Sequence, residues 1–358
     1  MLLKSLILQN FRNYTKKEFS FDKTTIIIGP NAYGKSNLIE AISLLSTGKS
    51  IRSDKNIQLI QFGKKVCRVQ GLLNEADGTK GTDETNIDLE VVFVETPTHF
   101  LQKKYLVNGV SKRRIDFATN FPSVLFTPED LDIVAGQPGV RRKFLDEVLE
   151  QIDQEYALSH SSYIKALRHR NALLELVQET GNRDEEQFLY WDNLLIKNGQ
   201  NITKKRGEFI DYINNRNKQL FDFILEYDHS IISADRLLKY RSGEIGSGLT
   251  LVGPHRDELL IKAKNKMSEK NEEVRFFGSR GQQRLVSLEL KSAQIAIIKE
   301  RLNTQPILLL DDVFSELDSG NINLVLDLMN KYQTIATTTH KEFVIRTSLK
   351  EVKMIELT

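Results

Sequence analysis

The chain has 358 residues, of which 40% are hydrophobic and 27% charged, the balance of an ordinary globular protein of two or three domains. Fifty Lys and Arg face 48 Asp and Glu, a net charge of +2, which excludes a polycation that wraps nucleic acid by bulk charge. The single cysteine, Cys67, excludes a disulfide framework and a cysteine-cluster zinc site.

No apolar run approaches the ~20 residues that span a bilayer, and the N-terminus has no signal-like stretch; a cytoplasmic protein is expected. The total charge hides segregation. Residues 1–70 hold 12 basic against 4 acidic residues, and 71–100 hold 1 against 7. Residues 101–118 hold 5 against 1, and 119–162 hold 3 against 8. Any nucleic-acid binding must rest on such local patches.

Leu3 to Leu8 and the β-branched run Thr24 to Ile28 read as strands. A helix begins after Ser36, at Asn37 to Ile42. Val66 to Leu73 and Ile87 to Val94 are further strands, and Asn108-Gly109 between apolar residues signals a hairpin. An antiparallel sheet over about 66–115 is expected. From Gly139 to about Tyr227 there is no proline, and apolar residues recur at helical spacing. Three helices are expected: one through Phe144 to Ile152, one through Ile164 to Val177, and one from about Glu185 towards Tyr227, broken near Gly199 or Gly207. Strands resume at Leu249 to Val252. The expected division is 1–121, a helical insertion over 122–245, and 246–358.

Gly29-Pro30-Asn31-Ala32-Tyr33-Gly34-Lys35-Ser36 fits G-x-x-x-x-G-K-[ST], between a strand and a helix that continues through Asn37. Glycines let backbone N–H groups face phosphates, the lysine reaches the β and γ phosphates, and the serine hydroxyl binds Mg²⁺. The helix aims its positive end at the same place. Ile307 to Leu310 reads as a buried parallel strand ending in Asp311 and Asp312, at the edge where ligands gather in open α/β sheets. Asp311 is the second magnesium residue with Ser36. Asp312 is placed to orient or deprotonate an attacking water.

Ser279-Arg280-Gly281-Gln282 resembles the signature of ABC-type ATPases and precedes a helix over Leu285 to Lys299. Ser315 to Asp318 resembles the D-loop, and Thr337-Thr338-Thr339-His340 the switch-histidine position. The long stretch between the two phosphate-site motifs suggests the SMC-like branch rather than a transporter subunit. Within that branch the chain resembles the RecF family. The resemblance rests on Leu8-Gln9-Asn10-Phe11-Arg12-Asn13-Tyr14, Phe126-Thr127-Pro128-Glu129-Asp130-Leu131, and Arg141-Arg142-Lys143-Phe144-Leu145-Asp146. It rests also on Leu251-Val252-Gly253-Pro254-His255-Arg256-Asp257 and Gly278 to Arg284, in order along the whole chain.

The resemblance implies an α/β fold: an ABC-type P-loop ATPase head, with a mixed sheet and an antiparallel β-subdomain, and a helical arm inserted as a second lobe. It implies ATP and Mg²⁺ as cofactors, catalytic roles for Lys35, Asp312 and His340, and a nucleotide-binding set of residues 29–37 joined by Arg12. The signature residues and Ser315 and Asp318 would act across an ATP-sandwiched homodimer. The family binds double-stranded DNA near single-strand gaps and helps RecA loading with RecR, in repair, replication and the SOS response. Another SMC-like DNA ATPase, a transporter subunit and a nucleotide-gated scaffold are the alternatives.

Three departures stand out. Ala32 takes a position where many such loops have glycine, and Arg280 one where transporters have glycine. Asp312 replaces the more common glutamate, from which slow turnover is expected. For DNA, Lys103, Lys104, Lys112, Arg113 and Arg114 flank the hairpin turn, where lysines also serve to protect a sheet edge. Lys197, Lys204, Lys205 and Arg206 form a second basic cluster.

Overall fold

The structure, a computed structural model, describes residues 1–52, 56–74, 86–98, 100–265, 269–316, 319–339 and 351–357. These form two compact units, Met1–Pro128 with Gln294–Thr358, and Glu129–Ala293.

The first unit begins with β1 (Leu2–Phe11), β2 (Tyr14–Ser20), β3 (Thr24–Ile28) and α1 (Lys35–Thr47). It continues with β4 (Val66–Asn74), β5 (Asn86–Glu95), β6 (Leu101–Val107), β7 (Val110–Lys112), α2 (Arg114–Ala118) and β8 (Ser123–Phe126). The second unit holds α3 (Asp132–Ala135), α4 (Pro138–Ile152), α5 (Gln154–Thr180), α6 (Glu185–Asn215) and β9 (Ile224–Asp228). There follow α7 (Ala234–Ser247), β10 (Glu258–Lys264), β11 (Asn271–Glu273), α8 (Val274–Phe277) and α9 (Arg280–Leu302), which carries the chain back to the first unit. The first unit closes with β12 (Ile307–Asp311), α10 (Ser319–Lys331), β13 (Thr334–Thr338) and β14 (Val352–Glu356).

Two sheets, with α1 packed against both, form the core of the first unit. The antiparallel sheet runs β2-β1-β4-β5-β6-β7. The other runs β14-β3-β13-β12-β8 with every pair parallel. Leu3, Leu6 and Val69 of the first sheet, Leu38, Ile42 and Leu45 of α1, and Leu309 and Ile335 of the second share one buried core. α1 is buried from Leu38 to Ser46, its polar Glu40, Ser43 and Ser46 included. The β6–β7 hairpin turns on Asn108 and Gly109, both at positive φ, as the Asn-Gly pair predicts for a two-residue loop.

The second unit packs α4 to α7 with a three-stranded antiparallel sheet, β11-β10-β9. Its boundaries differ from those expected. β8 belongs to the parallel sheet beside β12, so the helical unit starts after it. β10 pairs with both β9 and β11, which keeps the chain in this unit well past residue 245.

Two expected elements differ as well. α6 runs unbroken through Gly199 and Gly207. Gly199 serves close packing instead: a Cβ there would lie 2.8 Å from Ile232 Cγ2 and 3.1 Å from Tyr163 Cε2. The expected strand at Leu249 to Val252 is irregular, because side chains capture its backbone donors. Thr250 N–H donates to Asn171 Oδ1 and Leu251 N–H to Glu244 Oε1.

Candidate functional site

The phosphate loop leaves the sheet at the end of β3, a strand buried at all five residues. Its glycines do separate jobs. A Cβ on Gly29 would meet Leu357 O at 2.9 Å, where the chain after β14 pairs with Ile28. Gly34 caps α1 at φ 97°, and a Cβ there would lie 2.6 Å from Asn13 Nδ2 and 2.8 Å from Tyr14 Oη. Ala32 also has positive φ, 71°. The loop therefore accepts a Cβ at Ala32, at the cost of left-handed strain.

The segment from Asn10 to Tyr14, read from the sequence as a family marker, braces this loop. Tyr14 Oη donates to Gly34 O at 3.0 Å, and burial pushes the Tyr14 phenol up to about 12. Asn37 Nδ2 donates to Asn13 Oδ1 at 2.9 Å. Arg12 forms a bidentate pair with Glu40 of α1, both distances 2.9 Å, and donates to Gln58 O at 3.1 Å. Glu40 is fully buried, so this pair pins the turn between β1 and β2 to the helix behind the loop. That is where the structure places Arg12, expected as a nucleotide contact. Glu40 was missed, although one acidic residue in the apolar run of α1 was a visible signal.

Lys35 Nζ donates to Gly29 O at 2.6 Å and to Pro30 O at 2.9 Å. Burial lowers its pKa, against the opposing pull of Asp312 and Asp311. Across the parallel sheet, Ser36 Oγ donates to Asp311 Oδ1 at 3.1 Å. These residues stand 275 positions apart and meet because β13 alone separates β3 from β12. Thr337 of β13 completes the arrangement. Its hydroxyl donates to Asp311 Oδ1 at 2.7 Å and accepts from Asp312 N–H at 3.0 Å. The sequence flagged Thr337 only as part of the run leading to His340. Asp312 sits at φ 52°, a left-handed turn that Asp tolerates better than most residues.

Among the described residues no group of three His, Cys, Asp or Glu side chains could hold a metal. One hydroxyl and one carboxylate is a donor set that suits a hard cation keeping water and phosphate oxygens as its other ligands, which is how magnesium binds. The residues present fit that ion.

In the second unit, Ser279 and Gln282 form a reciprocal cap at the start of α9. Ser279 N–H donates to Gln282 Oε1 at 2.9 Å, and Gln282 N–H to Ser279 Oγ at 3.3 Å. The signature is thus a capping box as well. Ser279, Arg280 and Gly281 are exposed. Ser315 lies in the turn after β12; Asp318 and His340 lie outside the described residues.

The structure sorts the basic candidates. Lys103 lies on the face of β6 that carries Tyr105, and Lys104 on the opposite face. Lys112 is the cross-strand partner of Tyr105. Arg113 is held in a bidentate pair by Asp116, at 2.8 and 3.0 Å, and Arg114 donates to Thr47 O at 3.1 Å. The second cluster does not survive as a surface. Arg206 is 2% exposed and bonds Asp146, Asp257 and Pro254 O. Lys205 pairs with Asp153 at 2.7 Å. Only Lys197 and Lys204 stay exposed, because that stretch of α6 turns its other basic residues toward acids on neighbouring elements.

The same buried node explains two of the family markers, Arg141 to Asp146 and Leu251 to Asp257. Asp257 accepts from Arg206, Tyr227 and Ser230 N–H. Arg142 donates to Asp257 O at 2.7 Å, and Arg141 forms a bidentate pair with Glu258 at 2.8 and 3.1 Å. His255 Nδ1 lies 2.7 Å from Tyr163 Oη and Nε2 3.0 Å from Thr250 O. Burial lowers the His255 pKa to about 4. Among the described residues no helix is long and apolar enough to cross a membrane.

The chain is similar to known proteins along its whole length. The family model described as the RecF/RecN/SMC N terminal domain matches residues 2–356. The DNA replication and repair protein RecF of Agathobacter rectalis is 35% identical over 95% of this chain and 92% of its own length. RecF of Bacillus cereus strain AH820 is 35% identical over 100% and 97%. A solved structure of the recombination mediator protein RecF with ATP, from the RecFOR pathway, superposes with a TM-score of 0.83 at 29% identity, over 99% of this chain and 95% of that one. The Smc head domain of Pyrococcus furiosus shares the fold, with a TM-score of 0.53 at 18% identity over 99% of this chain and 94% of that one.

Proposed function

The chain belongs to the RecF family of DNA replication and repair proteins, within the RecF/RecN/SMC N-terminal domain group, and from that premise we propose that it is an ATP-dependent DNA-binding ATPase of recombinational repair. The observation that carries the reading is the 3.1 Å meeting of Ser36 and Asp311 beside the phosphate loop. It joins two distant motifs in the one place where a nucleotide triphosphate and its cation need them.

The roles follow from chemistry. Backbone N–H groups of the loop and the start of α1 hold the phosphates. Lys35 exchanges its two carbonyl partners for phosphate oxygens, which an ammonium binds more strongly. Ser36 and Asp311 would hold magnesium, which when bound offsets the charge of the phosphates. Asp312 orients and deprotonates the attacking water. Its carboxylate is one methylene shorter than that of glutamate, so turnover is slow and hydrolysis acts as a switch. His340 is a further catalytic residue of this scheme.

In the proposed assembly two chains sandwich two nucleotides. The signature residues Ser279 to Gln282 of one chain, the first three of them exposed, meet the phosphates held by the other, with Ser315 and Asp318 at the same interface. ATP thereby favours the dimer, and the dimer binds ATP more tightly. The dimer acts in the cytoplasm on double-stranded DNA near single-strand gaps and works with RecR in RecA loading. Sizing the protein with and without ATP and Mg²⁺, alone and with gapped DNA, tests this. An ATP-dependent dimer is expected; a monomer under all four conditions refutes the sandwich.

A further inference from the structure

α1 has 13 residues, about 20 Å of helix. Its N-terminus is the floor of the phosphate loop. Residues 38–46 are all buried, so the helix responds to a change at either end as one rigid body. Its C-terminal end is gripped by the hairpin region. Tyr105 Oη donates to Gly48 O at 2.9 Å in a buried bond, and Arg114 donates to Thr47 O at 3.1 Å. The fit is close: a Cβ on Gly48 would lie 2.7 Å from Arg114 Cγ and 3.1 Å from Tyr105 Cε1.

The segment that makes this grip also carries cations. Lys103 and Lys112 share the face of Tyr105. Lys49 follows Gly48 directly. Lys103, Arg114 and Lys49 stand near enough that, after burial, the charges of the last two lower the pKa of the first. Arg114 and Lys49 are favourably placed at the negative end of α1. Lys103 stands over the Phe93 ring, 5.9 Å from its centroid, and its crowding among like charges is relieved when an anion arrives.

We infer that the C-terminal end of α1, with Lys49, Lys103, Lys112 and Arg114, is a contact surface for the DNA phosphate backbone, coupled through α1 to the phosphate loop. The inference rests on the DNA-binding ATPase reading above and adds a place and a path. Phosphates of the duplex draw on the cations that surround the Tyr105 and Arg114 bonds. Closing of the loop on ATP shifts the same helix from its other end. Each ligand then favours the helix position that suits the other, and the strengthening is equal in both directions.

Tyr105→Phe removes one hydroxyl from the grip and leaves every cation in place. In the full chain, affinity for a fluorescent ATP analogue is measured with and without a short duplex, and duplex affinity with and without the analogue. In the unmodified protein each ligand is expected to tighten the other by about tenfold, the scale of one hydrogen bond. Tyr105→Phe should keep both separate affinities and lower the mutual effect to under about threefold. Lys103→Glu with Lys112→Glu should weaken duplex binding at all sequences and flatten its salt dependence, with ATP affinity in the absence of DNA unchanged.

Full coupling in Tyr105→Phe, or an unchanged salt slope in the charge variant, overturns this inference alone. Displacement of the duplex by polyglutamate at equal charge concentration overturns the assignment to DNA. An unmodified chain that binds no duplex overturns the functional reading, and this inference with it.

Discussion

Gly34→Ala is the substitution that most directly probes the phosphate loop. Two costs add. At φ 97° a side chain pays left-handed strain of about 1–2 kcal/mol. The new Cβ would also stand 2.6 Å from Asn13 Nδ2 and 2.8 Å from Tyr14 Oη. Neither atom is the end of a loose chain, because Tyr14 is buried and bonded to Gly34 O and Asn13 is bonded to Asn37. Moving them forfeits about 1 kcal/mol of hydrogen bonding. The sum, about 3 kcal/mol, falls on the loop conformation that presents N–H groups to phosphate, so ATP affinity should drop about 100-fold. Isothermal titration with ATP and Mg²⁺ measures it. Asn13→Ala added to Gly34→Ala should recover part of the loss. The control is Ala32→Gly, at φ 71°, where relief of strain is offset by the freer unfolded chain; its ATP affinity should stay within about threefold. Gly34→Ala binding ATP as the unmodified protein does would refute the reasoning.

Arg206→Met leaves the buried Asp257 and the half-buried Asp146 without their cation, and should cost about 3–5 kcal/mol in urea unfolding of the chain; a loss under 1 kcal/mol would show that the node is not structural. His255, with its folded pKa at about 4 against about 6.5 unfolded, binds a proton more readily when unfolded. Its contribution is complete above pH 6.5 and is lost as pH falls towards 4, up to about 3 kcal/mol; His255→Gln should flatten stability against pH in that window, and an unchanged slope there would contradict the assignment. Asp312→Asn should slow single-turnover hydrolysis at least 100-fold, the scale of general-base catalysis, with ATP binding retained; an unchanged rate removes Asp312 from the catalytic role.

Local chemistry made the loop, its strand and its helix readable, since glycine, lysine and serine at fixed spacing form a pattern local to one strand–loop–helix unit. The Asn108-Gly109 turn and the helices α4 and α5 were readable for the same reason, as turn preference and apolar period act over a few residues. Arg206 was not. Its charge marked it as a surface candidate, and only the acids brought in from α4 and the segment before β10 made it a buried residue. The break expected at Gly199 failed similarly, because a glycine that weakens a lone helix is favoured where Tyr163 and Ile232 press against it.

The sequence by itself determined which groups are candidates to hold phosphate and in what order they occur along the chain. Tertiary structure decided which of the distant groups meet. Pairing of β3, β13 and β12 sets Ser36 beside Asp311 and places the Thr337 hydroxyl between the Asp311 carboxylate and the Asp312 N–H. It also turned the marker segment from Asn10 to Tyr14 into a brace for the loop. Spacing along a chain records only neighbours within a turn or a strand, whereas a sheet brings together residues 275 positions apart at a hydrogen bond's length.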